Sequence, residues 1–170
     1  MKFIDLVKER YSCKNFDRKQ IKKEELDIIL EAGRFAPTAK NNQNQRIYVI
    51  QSEESLKIID EETPCRYKAP TVLVIAYDKD NTFTYPGGRY NSGIEDVTIV
   101  ASHMLLASKS VGVDSCWVNF FDPDKLKDKL KLPENEEIVA MIDLGYASEE
   151  NEPLENHFKR KDIKDTVQFR

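Results

Sequence analysis

Apolar and polar positions along the chain switch repeatedly between a helical and a strand period, and those switches lay out the elements. Phe3, Ile4, Leu6 and Val7 predict a first short helix ending at the Arg10-Tyr11-Ser12 turn. Leu26, Ile29, Leu30 and Gly33 recur at helical spacing, with Lys and Glu opposite, so a second helix is predicted over 21–34. Gly33 and Pro37 close it. Residues 45–51 alternate in part and are β-prone at Ile47-Tyr48-Val49-Ile50, which predicts a strand. Ser52 then reads as the N-cap of a third helix running to about Glu61.

Residues 70–77 form a near-continuous apolar run, the pattern of a central strand buried on both faces. The loop that follows, 78–91, is long and carries Tyr85-Pro86-Gly87-Gly88, which points to a functional segment rather than a plain connector. Residues 92–111 predict a helix apolar on nearly all sides. Ile94, Val97, Ala101, Met104, Leu105, Ser108 and Val111 make one stripe, and Ile99, Val100 and Leu106 lie elsewhere. Such a helix is buried, either centrally or against a partner subunit. A strand is predicted over 113–121. A helix follows to about Leu130, with Asp122 as N-cap and Pro123 at its first position. A last strand is predicted over 138–146, followed by a polar arm from Ala147 to Arg170. The order is α-β-α-β-α-β with irregular crossovers. No G-x-G-x-x-G follows a strand and no G-x-x-x-x-G-K-[ST] is present, which disfavours a doubly wound dinucleotide fold and excludes a P-loop.

Bulk composition narrows the class without naming a chemistry. A chain of 170 residues fits a single domain over 1–170. Net charge is −4 with no acidic or basic block, so neither a nucleic-acid surface nor an anionic membrane surface is expected. No apolar run approaches the roughly 18 residues of a membrane span. The charged N-terminus lacks a signal-peptide core, so a cytoplasmic location is expected. Cys13, Cys65 and Cys116 are odd in number and widely spaced, which argues against a disulfide framework or a zinc site. No metal site is expected.

Two segments carry candidate chemistry. Arg10, Ser12 and Lys14 alternate, so an extended backbone points all three the same way. They form either an anion site, with a guanidinium fork and a point charge, or a solvated stretch after a helix. Cys13 would face the core. The run Pro37-Thr38-Ala39-Lys40-Asn41-Asn42-Gln43 is either an amide-rich edge for a flavin or nucleobase, or a turn between helix and strand. Other features have plain structural readings. Trp117 is expected as a core or interface aromatic and His103 as a satisfied buried histidine. Glu95 and Asp96 read as dipole partners at a helix N-terminus.

In sequence order these motifs resemble the nitroreductase family of FMN-dependent oxidoreductases, in its short form. Arg10-Tyr11-Ser12-Cys13-Lys14-Asn15-Phe16 follows the family's Arg-[Arg/Tyr]-Ser-x-Arg-x-Phe segment. Ala36, Pro37, Thr38, Asn41 and Gln43 follow its Ala-Pro-Ser-x-x-Asn-x-Gln loop, with Asn44-Gln45 in place of Pro-Trp. The long helix, the 111–118 segment, Leu144-Gly145-Tyr146 and a C-terminal basic patch add to the likeness. The resemblance implies an α+β fold, with a central mixed β-sheet flanked by helices. It also implies an obligate homodimer with a long buried helix and a C-terminal arm. It implies FMN as cofactor, NADH or NADPH as reductant and a small-molecule electron acceptor, with hydride passing through flavin N5 in a ping-pong cycle. Arg10, Tyr11, Ser12 and Lys14 would bind the phosphate, ribityl chain and pyrimidine edge. Lys14 stands where Arg is usual. Pro37, Thr38, Ala39, Asn41 and Gln43 would approach the same flavin from the other subunit. Val118, Asn119 and Phe120 would lie beside the ring system, where the family often has Glu-Gly in place of Asn119-Phe120. Arg160, with Lys159 or Lys161, would complete the phosphate site. No catalytic side chain is implied. The rival readings are a non-catalytic flavin-binding or delivery protein and a dimeric module that binds some other anion.

Overall fold

A computed structural model of the chain describes residues 2–170. Helices and strands follow in the order α1 (Phe3–Glu9), α2 (Lys23–Arg34), β1 (Gln45–Ile50), α3 (Glu53–Glu62), β2 (Thr71–Asp78), α4 (Gly93–Ser110), β3 (Asp114–Val118), α5 (Pro123–Leu130) and β4 (Glu136–Gly145). The arm after β4 carries only two short 3-10 turns, Glu155–Phe158 and Ile163–Asp165. The four strands form one sheet in the order β1-β2-β4-β3. The sheet expected to be mixed pairs antiparallel throughout its strands. The parallel element is a single isolated bridge, Ser12 to Ser115, where the N-terminal segment joins the free edge of β3.

β2 explains the layering. Thr71 to Tyr77 are all buried, so the strand presents apolar side chains to both faces and each face needs its own cover. On one side Leu73, Ile75, Ile142 and Leu144 meet α2 and α4 through Ile29, Val97, Val100, Ala101 and Met104. On the other, Val72, Val74, Met141 and Val118 meet Ile59 of α3, Leu126 of α5, and Cys13 and Phe16 of the N-terminal segment. Local chemistry sets the helix starts. Ser52 Oγ accepts from Ser55 N, and Asp122 accepts from the backbone of Asp124 and Lys125, with Pro123 at the first helical position as expected.

α4 is 18 residues long. Val97, Val100, Ala101, Met104 and Ser108 are buried, but Ile94 is 60% exposed in the single chain. Phe3 and Ile4 of α1 are also open, as are Phe158, Ile163 and Phe169 of the arm. His103 corrects the sequence reading: it is exposed and its Nδ1 lies 2.9 Å from the Ile99 carbonyl. Its position on α4 falls off the buried face.

The start of α4 is tightly seated. A Cβ at Gly93 would lie 2.2 Å from Tyr77 Cε2, and Tyr77 is a buried ring whose hydroxyl is bonded to Glu137. Gly93→Ala is expected to destabilise the fold by about 1–3 kcal/mol through forced repacking. Urea unfolding of the purified variant checks this.

Candidate functional site

The Ser12–Ser115 bridge determines where the first candidate segment lies. Cys13 N donates to the Ser115 carbonyl at 3.0 Å, which holds residues 12–14 extended along β3. Alternation then sorts the side chains as expected, with Ser12 and Lys14 exposed and Cys13 fully buried. Two recesses open along this segment. One, of about 220 Å³, is lined by Arg10, Tyr11, Ser12, Leu154, Asn156, His157 and Arg160. The other, of about 310 Å³, is lined by Ser12, Lys14, Cys65, Tyr67, Cys116, Trp117, Val118, Asn119 and Phe120. Ser12 lines both, so a two-arginine recess and an aromatic-walled recess lie side by side along this segment.

The cationic end is assembled from opposite termini. Arg10 caps α1, while Arg160 follows the first 3-10 turn of the arm. Arg160 Nη1 donates to the Lys159 carbonyl at 2.8 Å and to the His157 carbonyl, which fixes the guanidinium over its own backbone. Asn151 Nδ2 donates to Tyr11 Oη at 3.0 Å, and the Lys14 N–H donates to Asn151 Oδ1 at 3.2 Å, so one asparagine ties the arm to the 10–14 segment. Lys159 does not line the recess and pairs with Glu155 at 2.9 Å. Neither Arg10 nor Lys14 has a carboxylate partner among the ion pairs of the described residues. Two free cations facing these recesses suit an anionic ligand.

At the other end β3 stops at Val118, paired with Met141, so Asn119 and Phe120 lie past the ladder. The Asn119 side chain is engaged by Trp117 Nε1 and by the Val139 carbonyl at 2.9 Å, and Phe120 is exposed at the rim. Trp117 is half-buried and lines the aromatic-walled recess, which places it between the core and the site. Lys14 Nζ sits 5.7 Å from the Tyr67 ring centroid. Cys13 and Cys116 are not set up as nucleophiles. Burial pushes Cys13 up to about 11 and Cys116 up to about 12, which keeps both protonated at neutral pH. Behind Cys116, its register partner Asp143 is buried with no hydrogen-bond partner on either carboxylate oxygen among the described residues. Burial raises its pKa well above the ordinary carboxylate range, with the Arg66 charge opposing the shift.

The second candidate segment lies apart from these recesses within the chain. Pro37, Thr38 and Ala39 line a separate recess of about 330 Å³ with Lys40, Phe83, Tyr85, Glu95, Asp96 and Ile99. Asn41 and Gln43 are exposed outside it. Three non-glycine residues in this short loop are left-handed: Lys40, Asn41 and Gln43 have φ near +50°. Such conformations cost on the order of 1–3 kcal/mol each and need surrounding contacts to hold them. Gln43 N donates to Thr38 Oγ1 at 3.0 Å, and Asn81 Nδ2 donates to the Asn42 carbonyl at 2.9 Å. Ala39 N donates to Asp96 Oδ1 at 2.7 Å, and Asn44 Nδ2 donates to Asp96 Oδ2 at 3.1 Å. Asp96 keeps the expected place in the first turn of α4 and is in addition a buried organiser of the loop, with Asn44 as its buried mate. The available signal was an Asp one turn after Ser92, opening a helix that is apolar all round.

Comparison with known proteins agrees with this geometry. The model of the nitroreductase family matches residues 7–65 and 62–146. A nitroreductase family protein from Clostridium difficile is 35% identical, with a TM-score of 0.93 over 99% of this chain and 98% of that one. An oxygen-insensitive NADPH nitroreductase from Helicobacter acinonychis is 25% identical over 205 residues, covering 92% of this chain and 98% of the relative. A nitroreductase with bound FMN from Bacteroides fragilis, 24% identical, shares the fold with a TM-score of 0.79, covering 99% of this chain and 98% of that one.

Asp143 makes stability fall as pH rises. Its folded pKa lies above its unfolded one, so the folded state holds the extra proton between the two. The penalty grows from about pH 4 upward and levels off above the folded pKa. Asp143→Asn is expected to be more stable than the parent at neutral pH, with the gain shrinking towards pH 4. Denaturation midpoints measured across that range check it.

Proposed function

Since the chain belongs to the nitroreductase family, we propose that it is an FMN-dependent NAD(P)H oxidoreductase that delivers hydride to a small electron acceptor. The observation that carries this is that a two-arginine recess and an aromatic-walled slot adjoin at Ser12, which lines both. A phosphate with a planar ring system needs that combination. The donor set fits: Arg10 and Arg160 offer guanidinium forks for a phosphate dianion, Ser12 offers a hydroxyl, and Lys14 a point charge beside the slot.

When bound, FMN supplies the hydride chemistry, accepting and passing on a hydride at N5. The chain's own residues hold and enclose it. Arg10 and Arg160 would neutralise the phosphate and Ser12 would donate a hydrogen bond to it, while the Asn151 tether ties the arm to the 10–14 segment at that end. Lys14 sits where negative charge on a reduced ring would be stabilised. Val118, Asn119 and Phe120 form the slot's edge, with backbone groups beyond the β3 ladder. The hydride chemistry asks for no protein nucleophile, in keeping with the protonated Cys13 and Cys116. Without a dedicated nucleotide-binding turn, nicotinamide and acceptor would take turns at one face, giving a ping-pong cycle.

The loop at 37–43 lies away from the recesses along residues 10–14 of its own chain, which supports a homodimer in which Thr38, Asn41 and Gln43 reach the flavin held by the partner. The open apolar side chains of α1, Ile94 and the arm would be covered there. The recess of Pro37 to Lys40, Phe83 and Tyr85 would then form the acceptor side of the site.

The purified protein should be yellow, or become so with added FMN, and should bleach on addition of NADH or NADPH. Protein that takes up no FMN would falsify the reading, and yellow protein that neither nucleotide bleaches would favour a flavin carrier. Arg10→Ala should weaken FMN binding roughly 10- to 100-fold, the value of one charge-assisted contact. Thermal stability of the apo form should barely move. Equal losses in both would make Arg10 a structural residue.

A further inference from the structure

Asp96 is 2% exposed, and no Lys or Arg pairs with it among the described residues. Burying a carboxylate costs several kcal/mol unless donors surround it. Here the donors come from two separate walls of the acceptor recess. Oδ1 accepts the Ala39 N–H at 2.7 Å. Oδ2 accepts Ser92 Oγ–H at 2.7 Å and Asn44 Nδ2 at 3.1 Å. Ser92 Oγ in turn accepts the Phe83 N–H at 3.1 Å. One carboxylate thus holds the 38–44 loop with both oxygens, through Ala39 on Oδ1 and Asn44 on Oδ2. Oδ2 is shared, and through Ser92 it also holds the 82–91 segment.

That second segment is itself a folded hairpin. Thr84 bridges Asn91, and Tyr85 N donates to the Tyr90 carbonyl. Loop and hairpin also touch directly. Lys40 Nζ lies 4.6 Å from the Phe83 ring centroid, and Asn42 and Asn81 exchange side-chain to backbone bonds. The cost of this arrangement is visible at Asn44. Its amide nitrogen must face the carboxylate, which leaves the buried Oδ1 without a partner.

We propose that Asp96 is a positioning residue. It locks the left-handed loop and the 82–91 hairpin into one rigid unit on α4, so that flavin-facing residues and acceptor pocket share a single geometry. This rests on the reading of the protein as a flavin oxidoreductase. In the dimer that reading requires, the Asp96 of one chain would set the geometry around the flavin held by the other.

The test uses FMN-loaded full-length protein, with menadione as acceptor and whichever nicotinamide bleaches the flavin. In Asp96→Asn both branches weaken, so FMN should dissociate more readily and the KM for menadione should rise about tenfold or more. Ser92→Ala cuts only the hairpin branch. It should raise that KM several-fold while FMN affinity stays within about twofold of the parent. Because both act through one carboxylate, the double variant should be no worse in KM than Asp96→Asn alone. Parental FMN affinity and KM in Asp96→Asn, with only a lower Tm, would overturn the proposal. So would additive effects in the double variant. If Asp96→Asn does not fold, an unchanged menadione KM in Ser92→Ala overturns it instead. A wild-type protein that takes up no FMN would sink the functional reading itself, and this inference with it. A yellow, active wild type with an indifferent Asp96→Asn sinks this inference alone.

Discussion

β2 has no solvent face, and the rest of the molecule is arranged around that constraint. Each of Val72, Leu73, Val74 and Ile75 contributes about 1.5–3 kcal/mol when fully buried, but only if both sides of the sheet are covered. α2 and α4 cover one side. α3 and α5 leave part of the other uncovered, and the extended segment carrying Cys13 and Phe16 fills it. The segment that brings Arg10, Ser12 and Lys14 to the recesses is therefore held in place by core packing. Cys13 and Phe16 are its anchors, and Ser12 and Lys14 are their alternating neighbours.

A second constraint operates at the other end of α4. Left-handed Lys40, Asn41 and Gln43 cannot hold themselves, and the contacts that hold them are polar and convergent. Apolar packing is tolerant of small shifts, whereas a buried carboxylate with three short donors is not. The two halves of the candidate site are thus built differently. The 10–14 half rests on the core and the β3 edge. The 37–44 half rests on a hydrogen-bond network centred on Asp96.

The two halves line separate recesses within one chain, and the surface of that chain leaves several apolar side chains open. α1 has no buried residue, Ile94 interrupts an otherwise covered helix face, and Phe169 is almost fully open. Apolar groups on α1, on α4 and in the arm face water together in the isolated subunit, a pattern that association removes. The same α4 that anchors the 37–44 loop carries part of this surface, so dimer formation and completion of the site would be one event.

Much of this was legible in the residues themselves. Ser52, Asp122 and Pro123 mark helix starts through local bonds, and the apolar run of 71–77 announces a strand without a solvent face, because these signals act over a few residues. The 10-12-14 alternation likewise sorted Cys13 from Ser12 and Lys14, since the period of an extended chain is local geometry. Tertiary structure alone decided what depends on distant partners. It made the sheet antiparallel, because the crossovers carry no sign of strand direction. It left His103 outside the core. It made the helix-end charge Asp96 a buried clamp as well, because Ala39 and Asn44 lie more than fifty residues away and only folding brings their donors to one carboxylate.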